Sequence, residues 1–129
     1  MNFPQDLKYT KNDEWIRVED GNATVGITDY AQDHLSDIVY VDYSVKPGQQ
    51  VAQGSPFGSV ESVKAAAEFY MPVDGEISEV NAAAKEKPES INKDPFGEAW
   101  LAKIKLTNAA QVDGLMNATA YEAYCKERG

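Results

Sequence analysis

The side chains that could do chemistry are few in this sequence. It has one histidine, His34, and one cysteine, Cys125, far apart in the chain, with no glycine-rich phosphate loop and no metal-spaced cluster of cysteines and histidines. An enzyme built on this chain would use His34 with Glu14 or Asp33 as acid and base. Lys64 is distinctive because it lies between two runs of strand character, which predicts a position at or near an exposed hairpin turn. On its own, a lysine at such a turn is most often only a solubilising residue.

The neighbours of Lys64 in sequence have strand character. Short runs rich in β-branched and aromatic residues are separated by turn residues such as Pro72–Gly75. Earlier in the chain, Trp15–Val18 and Ala23–Ile27 predict a hairpin, and residues 28–35 predict a short helix. The remaining predicted strands are 38–43, 57–62, 65–71, 75–80 and, with alternating apolar residues, 99–106. This spacing predicts a β-rich fold of the α+β class, a flattened sandwich or barrel of short antiparallel strands with peripheral helices.

The last third of the chain has a different pattern. Residues 81–98 contain prolines and many charges with little periodicity, which predicts a surface loop. After the strand 99–106 the pattern becomes helical, and Thr119 with Glu122 fits a capping box at the start of a C-terminal helix. Basic residues and Gly129 close that helix.

The composition indicates one acidic domain. The chain has 129 residues, with 12 Lys plus Arg against 21 Asp plus Glu and a net charge of −9. No linker interrupts it, so residues 1–129 are predicted to form a single domain with a sandwich core over about 7–106 and a helical region over about 108–128. The negative charge would repel phosphate backbones and anionic lipids, which argues against nucleic acid or membrane as a partner. No apolar run approaches the ~20 residues of a membrane span.

The compartment is also an expectation from the sequence. The first residues lack the basic start and apolar stretch of a signal peptide, and a lone Cys125 cannot form an internal disulfide. These features favour a reducing compartment, and the residues that carry the family resemblance given below follow Met1 so closely that we expect the bacterial cytoplasm. A mitochondrial matrix protein whose transit peptide had been removed would have the same sequence features.

The residues around Lys64 resemble a segment of a known protein family. The run Val60–Ala65, followed by Pro72 and then Gly75–Ile77, closely resembles the lipoylation segment of the glycine cleavage H-protein family. Further similar segments follow the family order and cover essentially the whole chain: Leu7–Tyr9, Glu14–Trp15, Val25–Leu35, Ile38–Asp42 and Trp100–Lys105.

The resemblance implies a carrier and not a catalyst. The implied fold is a lipoyl-domain-like flattened β sandwich with added helices, and the implied cofactor is lipoic acid in amide linkage to Lys64. The lysine stem and lipoyl chain together reach on the order of 12 Å. In this family the arm receives an aminomethyl group from a pyridoxal-phosphate-dependent glycine decarboxylase (P protein). A folate-dependent aminomethyltransferase (T protein) unloads it, and dihydrolipoamide dehydrogenase (L protein) reoxidises it. The implied oligomeric state is a monomer.

The resemblance also assigns residues near the arm. Glu14 and His34 match family positions in the cleft that holds the loaded arm, and Glu68 occupies a position that is acidic in relatives. A cationic amine would need such carboxylates if it were buried. Around the lysine, Glu61, Ser62 and Ala65 are candidates for recognition by a lipoate ligase or a lipoyl or octanoyl transferase.

The chain departs from the family pattern at two places. It has Asn12 and Asp13 where relatives commonly have Ser-His before the Glu-Trp pair, and Ser36 where relatives commonly have glycine after His-Leu. Both departures lie beside the expected cleft and neither touches Lys64.

The sequence disfavours two alternatives, a biotinyl domain and the lipoyl domain of a 2-oxoacid dehydrogenase acyltransferase, and leaves two others open. A biotinyl domain would flank its lysine with methionine, whereas Val63 and Ala65 flank Lys64. The lipoyl domain of a 2-oxoacid dehydrogenase acyltransferase would carry Asp-Lys-Ala and Ala/Pro-rich linkers. A lipoyl relay, or a lipoyl carrier of another pathway, would use the same lysine. A small acid–base enzyme would use His34.

Overall fold

Turn residues divide the chain into short strands and short helices. The computed structural model describes all residues, 1–129. In chain order the elements are β1 (Lys8–Tyr9), β2 (Glu14–Glu19), β3 (Asn22–Ile27), α1 (Asp29–Leu35), β4 (Ile38–Tyr43), β5 (Gln50–Val51), β6 (Pro56–Ser62), β7 (Ala66–Tyr70), β8 (Gly75–Val80), α2 (Ala82–Glu86), α3 (Ser90–Lys93), β9 (Ala102–Leu106), a 3₁₀ helix (Ala109–Gly114) and α4 (Ala118–Arg128).

The strands form two antiparallel sheets that enclose one large apolar core. Six strands form one sheet in the order β1-β2-β3-β9-β8-β5, and three form the other in the order β4-β6-β7. Val25 and Ile104 of the larger sheet belong to the same buried cluster as Val41 and Phe57 of the smaller one. The predicted flattened sandwich of short antiparallel strands with peripheral helices is therefore confirmed.

The β2–β3 hairpin follows its prediction. Trp15 pairs with Gly26 in the register of the two strands. A Cβ atom at residue 26 would come 2.8 Å from the indole ring, so only glycine lets this ring pack against β3. The indole nitrogen donates a hydrogen bond to the Pro95 carbonyl at 3.0 Å, which ties the hairpin to the segment before β9.

Helix α1 is also where the sequence predicts a helix. The hydroxyl of Thr28 accepts a hydrogen bond from the amide of Ala31 at 3.1 Å and so caps the first turn. The helix ends at Ser36, whose φ of 69° and ψ of −153° lie in a region that favours glycine.

The segment 81–98 differs from the predicted loop. It contains α2 and α3, and Ala84 and Ile91 are completely buried in the core. Helix α2 begins where the side chain of Asn81 accepts a hydrogen bond from the amide of Ala83 at 3.1 Å. Helices of five and four residues are too short to show a 3.6-residue period, so their sequence pattern is that of a loop.

Two element boundaries near the C-terminus were predicted wrongly. Helix α4 is capped by Asn117, whose side chain accepts from the amide of Ala120 at 2.9 Å, and Thr119 lies inside the helix. Strand β9 begins at Ala102 and not at Ala99. The predicted end of α4 is confirmed by basic residues in its last turn and by Gly129 as its C-cap.

Helix α4 packs through aromatic side chains. Tyr121 stacks on Tyr9 of β1, with ring centroids 4.6 Å apart and planes 2° from parallel. Both residues belong to a second buried cluster with Trp15 and Cys125, which gives this cysteine the small apolar packing role of a core residue. None of the helices has the length and apolar character that a membrane span requires.

The backbone of Ser36 leads to a prediction about stability. Its hydroxyl forms no hydrogen bond to another residue, and its φ is one that a side chain disfavours. Ser36→Gly should therefore raise the free energy of unfolding by about 1 kcal/mol, after subtraction of the entropic cost of glycine. Urea unfolding of the two proteins measures this difference. Ser36→Ala keeps the Cβ atom and is the control, so an equal gain in both variants would contradict the explanation.

Candidate functional site

Lys64 is the middle one of the three residues that connect β6 and β7. The strands pair up to Glu61 and Ala66, and the amide of Ser62 then donates to the carbonyl of Ala65 at 2.7 Å. The Ser62 hydroxyl accepts from the amides of Lys64 and Ala65 at 3.1 and 2.9 Å, and donates to the Ala65 carbonyl at 3.1 Å. The hydroxyl of one serine therefore bonds two amides and one carbonyl of the turn, and Lys64 is exposed at its tip.

The amino group of Lys64 is directed towards α1. Its Nζ atom donates a hydrogen bond to the carbonyl of His34 at 3.0 Å. This carbonyl belongs to the last turn of the helix, where backbone oxygens lack intrahelical partners and attract a cation. The turn that carries the lysine is thus in direct contact with the helix that carries His34.

The three residues predicted for an arm cleft line one cavity of about 200 Å³, between the start of β2, α1 and β7. They are Glu14, His34 and Glu68. Much of the remaining wall is apolar and comes from Ile27, Ala31, Leu35, Val60, Ala67 and Phe69. The cavity is smaller than the roughly 300–1,000 Å³ of sites that enclose a whole ligand, so it can accept the end of a flexible arm.

Glu14 is the most buried polar group of this cavity. It is 1% exposed. One carboxyl oxygen accepts from the hydroxyl of Thr10 at 2.5 Å and the other from the amide of Tyr70 at 3.1 Å. Burial raises the pKa of Glu14 from 4.5 to about 7, and the nearby charge of Asp13 adds to this effect. The two hydrogen bonds lower the pKa but do not cancel the cost of burial.

Asp13, the second acidic residue before β2, is held by α4. Arg128 donates to its carboxylate at 2.6 and 3.2 Å, and the Tyr121 hydroxyl donates to it at 2.8 Å. The hydroxyl of Tyr124 also bonds the carbonyl of Lys11 at 3.1 Å. Helix α4 therefore fixes the turn that precedes Glu14. The sequence analysis missed this role because these contacts join residues more than 100 positions apart.

His34 contacts main-chain oxygens and no side-chain carboxylate. Its Nδ1 atom lies 3.2 Å from the carbonyl oxygen of Tyr30, and its Nε2 atom lies 3.3 Å from the main-chain oxygen of Gly129. The imidazole also packs on the ring of Tyr30, with centroids 4.1 Å apart. These contacts hold the ring at the mouth of the cavity.

The remaining predicted residues lie on the outside of the hairpin. Glu61 is exposed opposite Tyr40 of β4, and Ala65 is exposed in the turn. Glu61 forms no salt bridge, as is also true of Glu14 and Glu68. Glu61 and Ala65 therefore lie close to Lys64 in sequence with exposed side chains, and the carboxylate of Glu61 has no salt-bridge partner.

Asn92 is a supporting residue that sequence reasoning missed. Its side chain accepts from the amide of Ile38 at 2.9 Å and donates to Gln32 and to the carbonyl of Ser36, each at 2.9 Å. It thus ties the end of α1 to the start of β4. The segment 81–98 was predicted to be a loop, and no local spacing indicates that an asparagine within it joins two distant elements.

The two-sheet antiparallel sandwich with an exposed lysine at a hairpin tip matches a lipoyl-domain-like fold. The family model described as "Glycine cleavage H-protein" matches residues 7–128. The chain therefore belongs to the glycine cleavage H-protein family.

Individual relatives agree with this assignment. The chain is 51% identical over 123 residues to a glycine cleavage system H protein of Bacteroides fragilis, covering 95% of this chain and 97% of the relative. It is 46% identical over 127 residues to that of Geobacillus kaustophilus, covering 98% and 99%. The crystal structure of an H protein from Mycobacterium marinum superposes with a TM-score of 0.85 at 36% identity, covering 93% of this chain and 96% of that one.

The burial of Glu14 predicts a pH dependence of stability. Its pKa is raised on folding, so the folded protein binds this proton more tightly than the unfolded chain, and stability falls as pH rises from 4.5 through about 7. Glu14→Gln removes this loss. At each pH, the free energy of unfolding of the natural protein is subtracted from that of the variant. This difference should increase by on the order of 3 kcal/mol between pH 4.5 and pH 8. Urea unfolding across this range measures it, and a difference that stays constant with pH would refute the burial effect.

Proposed function

We propose that this protein is the lipoyl-bearing shuttle of the glycine cleavage system. Lipoic acid in amide linkage to Lys64 would carry an aminomethyl group from glycine decarboxylase to the aminomethyltransferase, and dihydrolipoamide dehydrogenase would restore the oxidised arm. In this proposal, residues 1–129 form a single carrier domain. The protein is a monomer and acts in the bacterial cytoplasm. The observation that carries the proposal is an exposed lysine in contact with a helix that lines a carboxylate-bearing cavity.

The surroundings of Lys64 fit the attachment of lipoic acid. The amino group is exposed, forms one hydrogen bond and has no salt-bridge partner, so acylation removes no buried interaction. When bound, the lipoyl group supplies the disulfide and dithiol chemistry on which the cargo is carried. The protein contributes a turn whose backbone is held by Ser62, so the lysine is presented to other proteins in a fixed position.

The cavity suits a cationic amine. Asp13 is neutralised by Arg128, whereas Glu14 and Glu68 have no cationic partner. A buried ammonium group requires a carboxylate or hydrogen bonds, and the buried Glu14 and the exposed Glu68 supply carboxylates to an otherwise largely apolar wall. An ammonium group beside Glu14 would favour its ionised form, so the cargo and the carboxylate stabilise each other. Exclusion of water by the apolar residues would protect a cargo that water decomposes.

The alternative of acid–base catalysis by His34 has little support from the geometry. No side-chain carboxylate lies within hydrogen-bond distance of His34 to act with it as acid or base, and its ring nitrogens lie against the main-chain oxygens of Tyr30 and Gly129. Among lipoylated proteins, a relay that hands lipoyl groups to other complexes would use the same lysine.

The attachment site is tested by mass spectrometry after incubation with a lipoate ligase, ATP and lipoate. Lys64 should gain about 188 Da as an amide, and Lys64→Arg should gain nothing. The matched control is Lys46→Arg, which alters another exposed lysine in a turn and should leave the gain unchanged. An unmodified Lys64, under conditions that modify a known lipoyl domain, would refute the proposal.

The role of the cavity is tested by the lifetime of the cargo. Glu14→Gln and Glu68→Gln should each release it about tenfold faster, because each removes one charge-assisted contact to the amine. The matched control is Glu61→Gln, which alters an exposed carboxylate outside the cavity and should leave the rate unchanged. Ammonia release from the loaded, isolated protein measures the rate. Equal lifetimes in all four proteins would remove the cavity from the proposal.

A further inference from the structure

Exposed apolar side chains concentrate around the turn that carries Lys64. Five large hydrophobic residues of the chain are exposed, and three of them are Val39 at 54%, Tyr40 at 46% and Val63 at 68%. Val63 precedes Lys64 directly. The other two lie on β4, which pairs with the strand leading into the turn. We refer to these three residues as the apolar patch.

A β-bulge creates this patch. The register between β4 and β6 shifts between Ile38, opposite Ser62, and Tyr40, opposite Glu61. In a regular strand, neighbouring residues alternate between core and solvent, but here Val39 and Tyr40 are both exposed. Bulges re-aim side chains in this way and are frequent beside functional sites.

The patch is continuous with the turn. The amide of Val63 donates to the carbonyl of Asp37 at 3.0 Å, which places Val63 next to the start of β4. On the other side, Tyr40 lies opposite Glu61. The three apolar residues therefore lie on the backbone segments next to Lys64, and the exposed carboxylates Asp37 and Glu61 lie beside them.

The fold does not need these side chains. None of them belongs to either buried cluster, and β4 is an edge strand of the smaller sheet. An exposed apolar row on an edge strand favours unwanted association, so proteins commonly cover such edges or place charges on them. The apolar patch therefore has the character of a surface that a partner covers.

We propose that the apolar patch is the docking surface for the enzyme that acylates Lys64, an inference that rests on the proposed modification of this lysine. That enzyme must bring the Nζ atom itself into its active site, so it has to cover the residues next to the turn. Enzymes that act on the far end of the arm work on the order of 12 Å away and need not touch the patch. The position of the patch therefore favours the attaching enzyme.

The side chains of the apolar patch and its rim predict which side chains the partner presents. An apolar surface on the acylating enzyme would cover Val39, Tyr40 and Val63, and basic side chains at its rim would face Asp37 and Glu61. Apolar contacts would supply most of the affinity, and the charges would orient the two proteins.

The test compares acylation of the natural protein with that of a triple variant, Val39→Thr, Tyr40→Thr and Val63→Ser. Threonine keeps a β-branched side chain in the strand while the apolar surface is lost. With a lipoate ligase, ATP and lipoate, KM for the variant should rise at least about tenfold while kcat changes less than twofold. Val18→Thr is the matched control, because Val18 is an exposed valine on β2 of the other sheet.

A binding measurement separates docking from chemistry. In a Lys64→Ala background, calorimetric titration with the ligase should show the same tenfold loss of affinity when the patch is substituted. The variant, once acylated at saturating concentration, should serve glycine decarboxylase with an unchanged KM. If the substitutions raised KM for the decarboxylase more than they weakened binding of the ligase, the patch would be a docking surface for the decarboxylase, and the inference would be overturned.

Three other outcomes distinguish a failure of this inference from a failure of the proposed function. Acylation of the triple variant with the natural KM would overturn the inference while leaving Lys64 as the attachment site. No acylation of the natural protein would instead refute the proposed function. A concentration-dependent dimer in sedimentation experiments that the triple variant abolishes would assign the patch to a second copy of this chain, and the inference would again fail.

Discussion

The two sheets can bury their apolar faces only against each other, and this requirement determines which side of each strand remains available for function. In β6, Val60 faces the core and the next residue, Glu61, faces solvent. Strand β6 ends at Ser62, and the side chain of this serine closes the turn by hydrogen bonds. Lys64 is exposed because the core fixes the strands on both sides of it. A shift of one residue in this register would bury charged side chains and expose the core.

The cavity beside the lysine exists where the two sheets meet. Glu14 begins a strand of the larger sheet, yet its carboxyl group accepts a hydrogen bond from Tyr70 at the end of a strand of the smaller one. A buried carboxyl group needs such partners, and they also keep it in place. Asp13 is held by Arg128 and Tyr121, so the C-terminal helix braces the same turn from outside. The polar end of the cavity is therefore fixed by three elements that are far apart in sequence.

Elements whose determinants are local could be predicted well from the sequence. The β2–β3 hairpin, the cap of α1 at Thr28 and the strands around Lys64 depend on turn residues and on alternation within a few positions, and each has its predicted type. The short helices of 81–98 could not be found, because four or five residues show no period. The start of α4 was misplaced because Asn117 and Thr119 both have side chains that can cap a helix, and the local pattern does not distinguish them.

The sequence by itself determined the fold class, the exposed lysine turn and, through family resemblance, the residues expected at the cleft. Only the tertiary structure decided that Glu14, His34 and Glu68 line one cavity, that Glu14 is buried without a cationic partner while Asp13 has one, and that a bulge turns Val39 and Tyr40 outward together. The physical reason is distance along the chain. Turns and alternation are set by neighbouring residues, whereas burial and pKa depend on groups brought together only when the two sheets and α4 pack.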